Sequence, residues 1–325
     1  MSFSEVIGQQ IVRRALQAAL RNGRVAQAYL FYGPPGVGKR MLARAFARAL
    51  LCAAPAGGDE ACGGCRDCRL ALAGTHPDWH RVSAETKSIG IGAVRELQHA
   101  MRYRPYGKRH VVTLEGAERL TAEAANALLK TLEEPSGPAV FLLVTDQPDS
   151  LLPTVRSRCL GLPCRPLAKD EVLEGLARHG FSGERTAVWA ARCEGSLGRA
   201  LALARGEDDA EGLAQAVWLA GEIDRMGIAE LLAVAGETRG RDELARRLEW
   251  FSLWYRDLLW WRETGTVDGI VNADRLEEIR EQSARLGSRA LAARVAAVEE
   301  ARARLAANAN PRLLAEVLYL EIKNL

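Results

Sequence analysis

No stretch of this 325-residue chain approaches the roughly 20 apolar residues a membrane-spanning helix needs, and its first residues lack the apolar core of a signal peptide. These absences lead to the expectation of a cytoplasmic protein without a membrane partner, in which the seven cysteines stay reduced and disulfides are not the default. There is no excess of one charge: 44 basic side chains face 41 acidic ones for a net charge of +3, so the global balance selects no partner. No internal repeat is visible. What is present, 48% hydrophobic and 26% charged residues, describes a globular chain with length enough for two or three domains.

Charge is uneven along the chain. Residues 1–50 carry Arg13, Arg14, Arg21, Arg24, Lys39, Arg40, Arg44 and Arg48 against Glu5 alone, which suits anionic partners and equally a solvated helix face. In the same region an apolar strand, Tyr29 to Tyr32, runs into a glycine-rich turn and then a helical pattern from Met41 to Leu51. Gly33, Gly36, Gly38 and Lys39 almost complete the phosphate loop G-x-x-x-x-G-K-[ST], whose N–H groups and lysine cradle phosphates while a hydroxyl holds magnesium. Arg40 stands where that hydroxyl belongs. A second apolar strand, His110 to Leu114, should end in an acidic pair for magnesium and water, and reads Glu115 and Gly116. Glu118, two residues on, is expected in a solvated turn.

Cys62, Cys65 and Cys68, with Cys52 upstream, can set four thiolates around one tetrahedral structural zinc, and the intervening glycines permit the tight turns. The alternatives are a redox pair, or His76 in place of one cysteine. Cys159, Cys164 and Cys193 are expected to be packing residues.

Further along, Trp79 to Val82 reads as a short strand and Ile91 to Met101 as a helix, followed by a basic turn from Arg102 to Arg109. Thr121 to Glu134 reads as a helix capped by Thr121 and stopped by Pro135, and the run Val140 to Val144 as a strand buried on both faces, with Thr145 and Asp146 at its carboxyl end. Strands alternating with helices predict an α/β domain with a parallel sheet. Beyond Pro163 to Pro166 come three short helical patterns: Asp170–His179, Glu184–Cys193 and Leu197–Arg205. From 207 the chain turns acidic and helical, with Trp250, Phe251, Trp254, Tyr255, Leu258 and Trp261 on one wide apolar face expected to be core or subunit contact. The last helical pattern spans Pro311 to Leu325.

Asn126 to Pro135, together with Ser157, Arg158 and Cys159, resembles the bacterial clamp-loader branch of the AAA+ proteins, which loads the sliding clamp for DNA polymerase III in replication. The phosphate loop, the cysteine cluster, the Gly195, Ser196, Leu197 segment and the run from Asn308 to Glu316 follow the same order, so the resemblance spans nearly the whole chain. It implies an α/β AAA+ phosphate-loop domain at 1–165 with a zinc insertion at 52–68, a small helical lid domain at 166–206, and an all-α collar domain at 207–325. It also implies partners: gamma/tau and delta subunits in a hetero-pentameric ring, and through that ring the sliding clamp and primer-template DNA.

The departures matter as much. Arg40, Glu115 and Gly116 replace residues that the family's ATPase motor uses for magnesium and water, and Gly198 stands at the sensor-arginine position with Arg199 one residue late. Thr145 matches the sensor position after the fourth strand. Arg158 survives intact, which in this family acts in trans as an arginine finger on a neighbour's ATP. The resemblance therefore implies a non-motor stator, an accessory to the polymerase holoenzyme that is non-catalytic or a very weak ATPase by itself. The alternative is a gamma/tau-like motor in which Gly33, Gly36, Gly38, Lys39, Arg40, Glu115 and Thr145 hold ATP and magnesium.

Overall fold

The computed structural model describes every residue except 1, 84–87, 136, 184 and 206–209. It divides into two compact units, one of residues 1–182 and 193–201, the other of 183–192 and 202–325.

The first unit begins with α1 (Gln10–Arg21) and is built on five strands joined by helical crossovers, as parallel pairing requires. In order these are β1 (Ala28–Tyr32), α2 (Lys39–Leu51), α3 (Arg66–Ala73), β2 (Trp79–Ser83), α4 (Ile91–Ala100), β3 (His110–Glu115), α5 (Ala122–Glu133), β4 (Ala139–Thr145), α6 (Pro153–Arg156) and β5 (Leu160–Pro163). The strands form one parallel sheet in the order β2-β3-β4-β1-β5. β4 lies between β3 and β1, so its run from Val140 to Val144 is buried on both faces. Side chains alternate along each strand. Tyr29, Phe31, Leu142 and Val144 pack with Leu42 and Phe46 of α2 on one face, while Leu30, Phe141 and Leu143 pack with Leu97 of α4 and Leu128 of α5 on the other.

Register then sets up the two ends of the sheet. Tyr32 pairs with Thr145 and Val144 with Glu115, so the carboxyl ends of β1, β4 and β3 lie side by side beneath the glycine-rich turn. At the opposite end Leu160, the first residue of β5, pairs with Tyr29 near the start of β1. This unit also contains α7 (Lys169–Arg178).

The remaining helices are α8 (Arg185–Arg192), α9 (Leu197–Ala204), α10 (Ala210–Glu222), α11 (Ile228–Gly236), α12 (Arg241–Thr264), α13 (Leu276–Arg285), α14 (Ser288–Ala306) and α15 (Pro311–Asn324). The start expected for α8, Glu184, lies outside the described residues. The second unit is all-α, its core centred on α12, where Trp250, Phe251, Trp254, Tyr255 and Leu258 are buried as the apolar face predicts. Two buried charges are held there by specific partners. The Asp257 carboxylate accepts from Val271 N at 3.0 Å, Asn272 N at 2.8 Å and Asn272 Nδ2 at 2.7 Å, and Arg294, 1% exposed, pairs with Asp224 at 2.5 Å. No described helix in the chain is long and apolar enough to cross a membrane.

Candidate functional site

The turn after β1 is shaped by glycines in conformations that side chains avoid. Gly33, Gly36 and Gly38 have φ of 142°, 73° and 100°. Space is as tight as geometry: a Cβ on Gly33 would lie 2.1 Å from Cys164 O, and one on Gly36 2.1 Å from Ser196 Oγ. Gly198 N donates to Gly36 O at 3.0 Å, so the start of α9 is stitched onto the loop. A cavity of about 350 Å³ adjoins it, lined mainly by apolar groups including Ile7, Val37, Met41, Leu167 and Leu201. That falls at the lower end of ligand-pocket sizes.

The charged groups of the loop are spent on one another. Lys39, 4% exposed, donates to Gly33 O at 2.7 Å and to Pro34 O, and pairs with Asp146 Oδ1 at 2.6 Å. Glu115 receives Arg44 on both oxygens, Nε to Oε1 at 2.9 Å and Nη2 to Oε2 at 3.1 Å, while Arg40 Nε approaches Oε2 at 3.6 Å. Two guanidinium groups thus crowd the carboxylate that would bind magnesium in a motor. Thr145, buried at the end of β4, donates its hydroxyl to Glu118 Oε2 at 2.7 Å and accepts from Gln147 N at 3.0 Å. Glu118 therefore turns inward, against the solvated turn expected from sequence, because the Thr145 hydroxyl gives its carboxylate a partner. Gly198, at the sensor position, offers no side chain, and Arg199 approaches Glu194 at 3.9 Å.

Arg44 and Asp146 are the partners of Glu115 and Lys39, pairings that residue-by-residue reading did not single out. The signal available was spacing: Arg44 is one helical turn after Arg40, hence on the same face of α2.

Arg158 precedes β5, at the end of the sheet opposite the loop, and is not among the residues lining the cavity. Its side chain is 38% exposed, donates Nη1–H to Thr154 O at 3.0 Å and forms an ion pair with Glu133 at the end of α5. With about 3.3 Å per strand residue, the length of β1 separates it from its own loop by about 16 Å.

The cysteine cluster forms a separate centre after α2. The sulfurs of Cys52, Cys62, Cys65 and Cys68 all lie within 4.8 Å of one another, with Cys52 to Cys65 at 3.9 Å and Cys62 to Cys68 at 4.0 Å. A tetrahedral ion with sulfurs at about 2.3 Å needs S···S edges of about 3.8 Å, so the four residues fit such an ion. The spacing is too long for a disulfide. Amide N–H groups of Cys62, Cys65 and Cys68 point at sulfurs of the cluster, as knuckle turns do. Burial would raise the Cys65 thiol, but the amides of Cys68 and Ala53 and the neighbouring thiols outweigh it and bring it down to about 6. Burial pushes Cys68 up to about 12. His76 is not a member of the cluster: its Nδ1 accepts from Asp78 N at 3.1 Å. Cys159 and Cys164 are raised to about 11 by burial, the behaviour of packing residues.

A glycine loop between strand and helix, at the carboxyl end of a parallel sheet ordered β2-β3-β4-β1-β5, defines a phosphate-loop α/β domain, here with its acidic pair incomplete. Family models agree in sequence: one described as "DNA polymerase III, delta subunit" matches residues 8–168, and one described as "DNA polymerase III, delta subunit, C terminal" matches 218–324. DNA polymerase III subunit delta' of Bacillus subtilis is 30% identical over 97% of this chain and 96% of its own length. The Pseudomonas aeruginosa subunit delta' is 49% identical, over 47% of each chain, so that match spans about half of either protein. DNA polymerase III subunit tau of Bacillus subtilis is 26% identical over 98% of this chain but 61% of its own. The chain belongs to the family of DNA polymerase III delta-prime subunits.

Proposed function

We propose that this chain is the stator of a bacterial clamp loader: a non-motor subunit that scaffolds the ring loading the sliding clamp on DNA and lends Arg158 to a neighbouring ATPase. The observation that carries the reading is the occupation of Glu115 by Arg44 and Arg40, since a carboxylate bound to guanidinium groups is not free to hold magnesium. The position of Arg158 supports it, because a finger at the far end of the sheet serves another chain's nucleotide.

In this reading residues 1–165, 166–206 and 207–325 act as phosphate-loop, lid and collar domains, and the collar joins gamma/tau and delta subunits in a hetero-pentameric ring. Primer-template DNA and the sliding clamp are met through that assembly, in the cytoplasm. Cys52, Cys62, Cys65 and Cys68 hold a structural zinc. A loader rebuilt with Arg158→Ala tests the finger: DNA- and clamp-stimulated ATP turnover at the site it serves should fall by about 10³–10⁵. Undiminished turnover would sink the role.

A second reading, a weakly hydrolysing motor, draws on the cavity beside Lys39 and Arg40 and on the tau relative. ATP and magnesium would then sit against Gly33, Gly36, Gly38, Lys39, Arg40, Glu115 and Thr145. Hydrolysis by the isolated chain that Lys39→Ala abolished would favour it over the stator.

A further inference from the structure

The turn between α4 and β3 has no part in the functions above. It interleaves cations with aromatic rings: Arg102, Tyr103, Arg104, Tyr106 and Lys108. Tyr103 is 67% exposed and Tyr106 89%, a large apolar cost for two side chains that could have packed inward. Arg102, Arg104 and Lys108 are exposed as well, and among the described residues none has a carboxylate partner.

A floppy turn would not hold two rings in water at fixed places. This one is anchored from below by buried polar groups. Asp78, 1% exposed, accepts Tyr106 N–H on Oδ1 at 2.9 Å and Gly107 N–H on Oδ2 at 2.7 Å. His110, 3% exposed, donates Nε2–H to Tyr103 O at 2.9 Å. That bond fixes its tautomer, leaving Nδ1 to accept from His80 Nε2–H at 3.1 Å. The His99 ring meets Tyr103 edge-on, with centroids 5.9 Å apart. Two buried groups, Asp78 and His110, are thus committed to the shape of an exposed turn.

We propose that this turn is a stacking platform for single-stranded nucleic acid. Bases lie on the Tyr103 and Tyr106 rings, and Arg102, Arg104 and Lys108 take the phosphates. Stacking is tolerant of base identity because every base offers a flat face, and unpaired cations bind phosphate with release of counterions. An acidic protein surface would call for the cations alone; the exposed, pre-set rings favour a strand. The stator reading enters only in making DNA the strand on hand.

The test is fluorescence anisotropy of a labelled oligothymidylate of about 20 nucleotides with the full-length, metal-loaded chain across a range of salt. Tyr103→Ala and Tyr106→Ala should each weaken binding by about tenfold, and the Phe variants should stay within about twofold of the parent. Arg104→Gln with Lys108→Gln should lower the slope of log K against log salt by about 1.4. No binding by the parent chain, or Ala variants that bind as the parent does, would overturn the proposal. So would Ala variants that keep oligonucleotide binding but lose ring assembly or clamp binding, which assigns the turn to protein docking. Because the chain is assayed alone, a negative result leaves the role of Arg158 untouched.

Discussion

Arg44 spans both carboxylate oxygens of Glu115, at 2.9 and 3.1 Å, across a sequence separation of 71 residues. Glu115 is 11% exposed and Arg44 30%, so the pair is partly shielded from water.

Removing Arg44 leaves Glu115 only the looser approach of Arg40 at 3.6 Å. Arg44→Ala should therefore cost about 1–2 kcal/mol of folding stability, while Arg44→Ala with Glu115→Ala should recover most of it, since no half-paired carboxylate remains. Denaturant unfolding of the three chains decides it; additive losses would show that the two residues do not act as a unit.

Metal content is the second expectation. The chain should carry one equivalent of zinc by elemental analysis, and a strong chelator or Cys65→Ser should lower the melting temperature by about 5 °C or more, because metal binding is folding free energy in such knuckles. Cys193→Ser, outside the cluster, should retain the full metal content. Full stability of a metal-free chain would remove the structural role.

Glycines give a paired contrast. Gly33→Ala forces a Cβ to 2.1 Å from Cys164 O at a φ of 142°, and should cost about 3 kcal/mol or more. Gly92→Ala lies in α4 with nothing within 4 Å of the new Cβ, and should gain about 0.5–1 kcal/mol from helix propensity. Equal effects of the two changes would contradict the loop geometry.

Acid should destabilise the first unit through His80. Its imidazole is held below the ordinary value of 6.5, first by burial and then by His110, against the opposing pull of Asp78. The unfolded chain then binds more protons than the native one as pH falls below 6.5, so stability is full above that pH and is lost on acidification through the depressed native value. Melting temperature should fall between pH 7 and pH 5.5, and His80→Gln should flatten part of the fall. A profile identical in parent and variant would exclude His80 as the source.

Much of this was legible because local rules sufficed. Val140 to Val144 could only be a strand buried on both faces; Thr121 accepts from Ala124 N at 3.2 Å, the cap its position announces; the four cysteines converge as their spacing allows. Arg40 and Glu115 stood out as misfits in otherwise regular motifs. What stayed hidden depends on chain segments that meet only in the folded unit. Asp146 on Lys39, Ser196 against Gly36 and Glu118 beneath Thr145 leave no trace in local periodicity, since each is a polar contact between a loop and a distant element.

The pairing of β1 with β5 makes a stiff bar with the phosphate loop at one end and Arg158 at the other. A bar about 16 Å long that tilts by about 10° about its midpoint swings each tip by about 1.4 Å, in opposite senses. Displacements near 1 Å are enough to change a reacting geometry about a hundredfold. A rigid tilt of this sheet would therefore couple the two ends, turning a small displacement at the loop into an opposite one at Arg158.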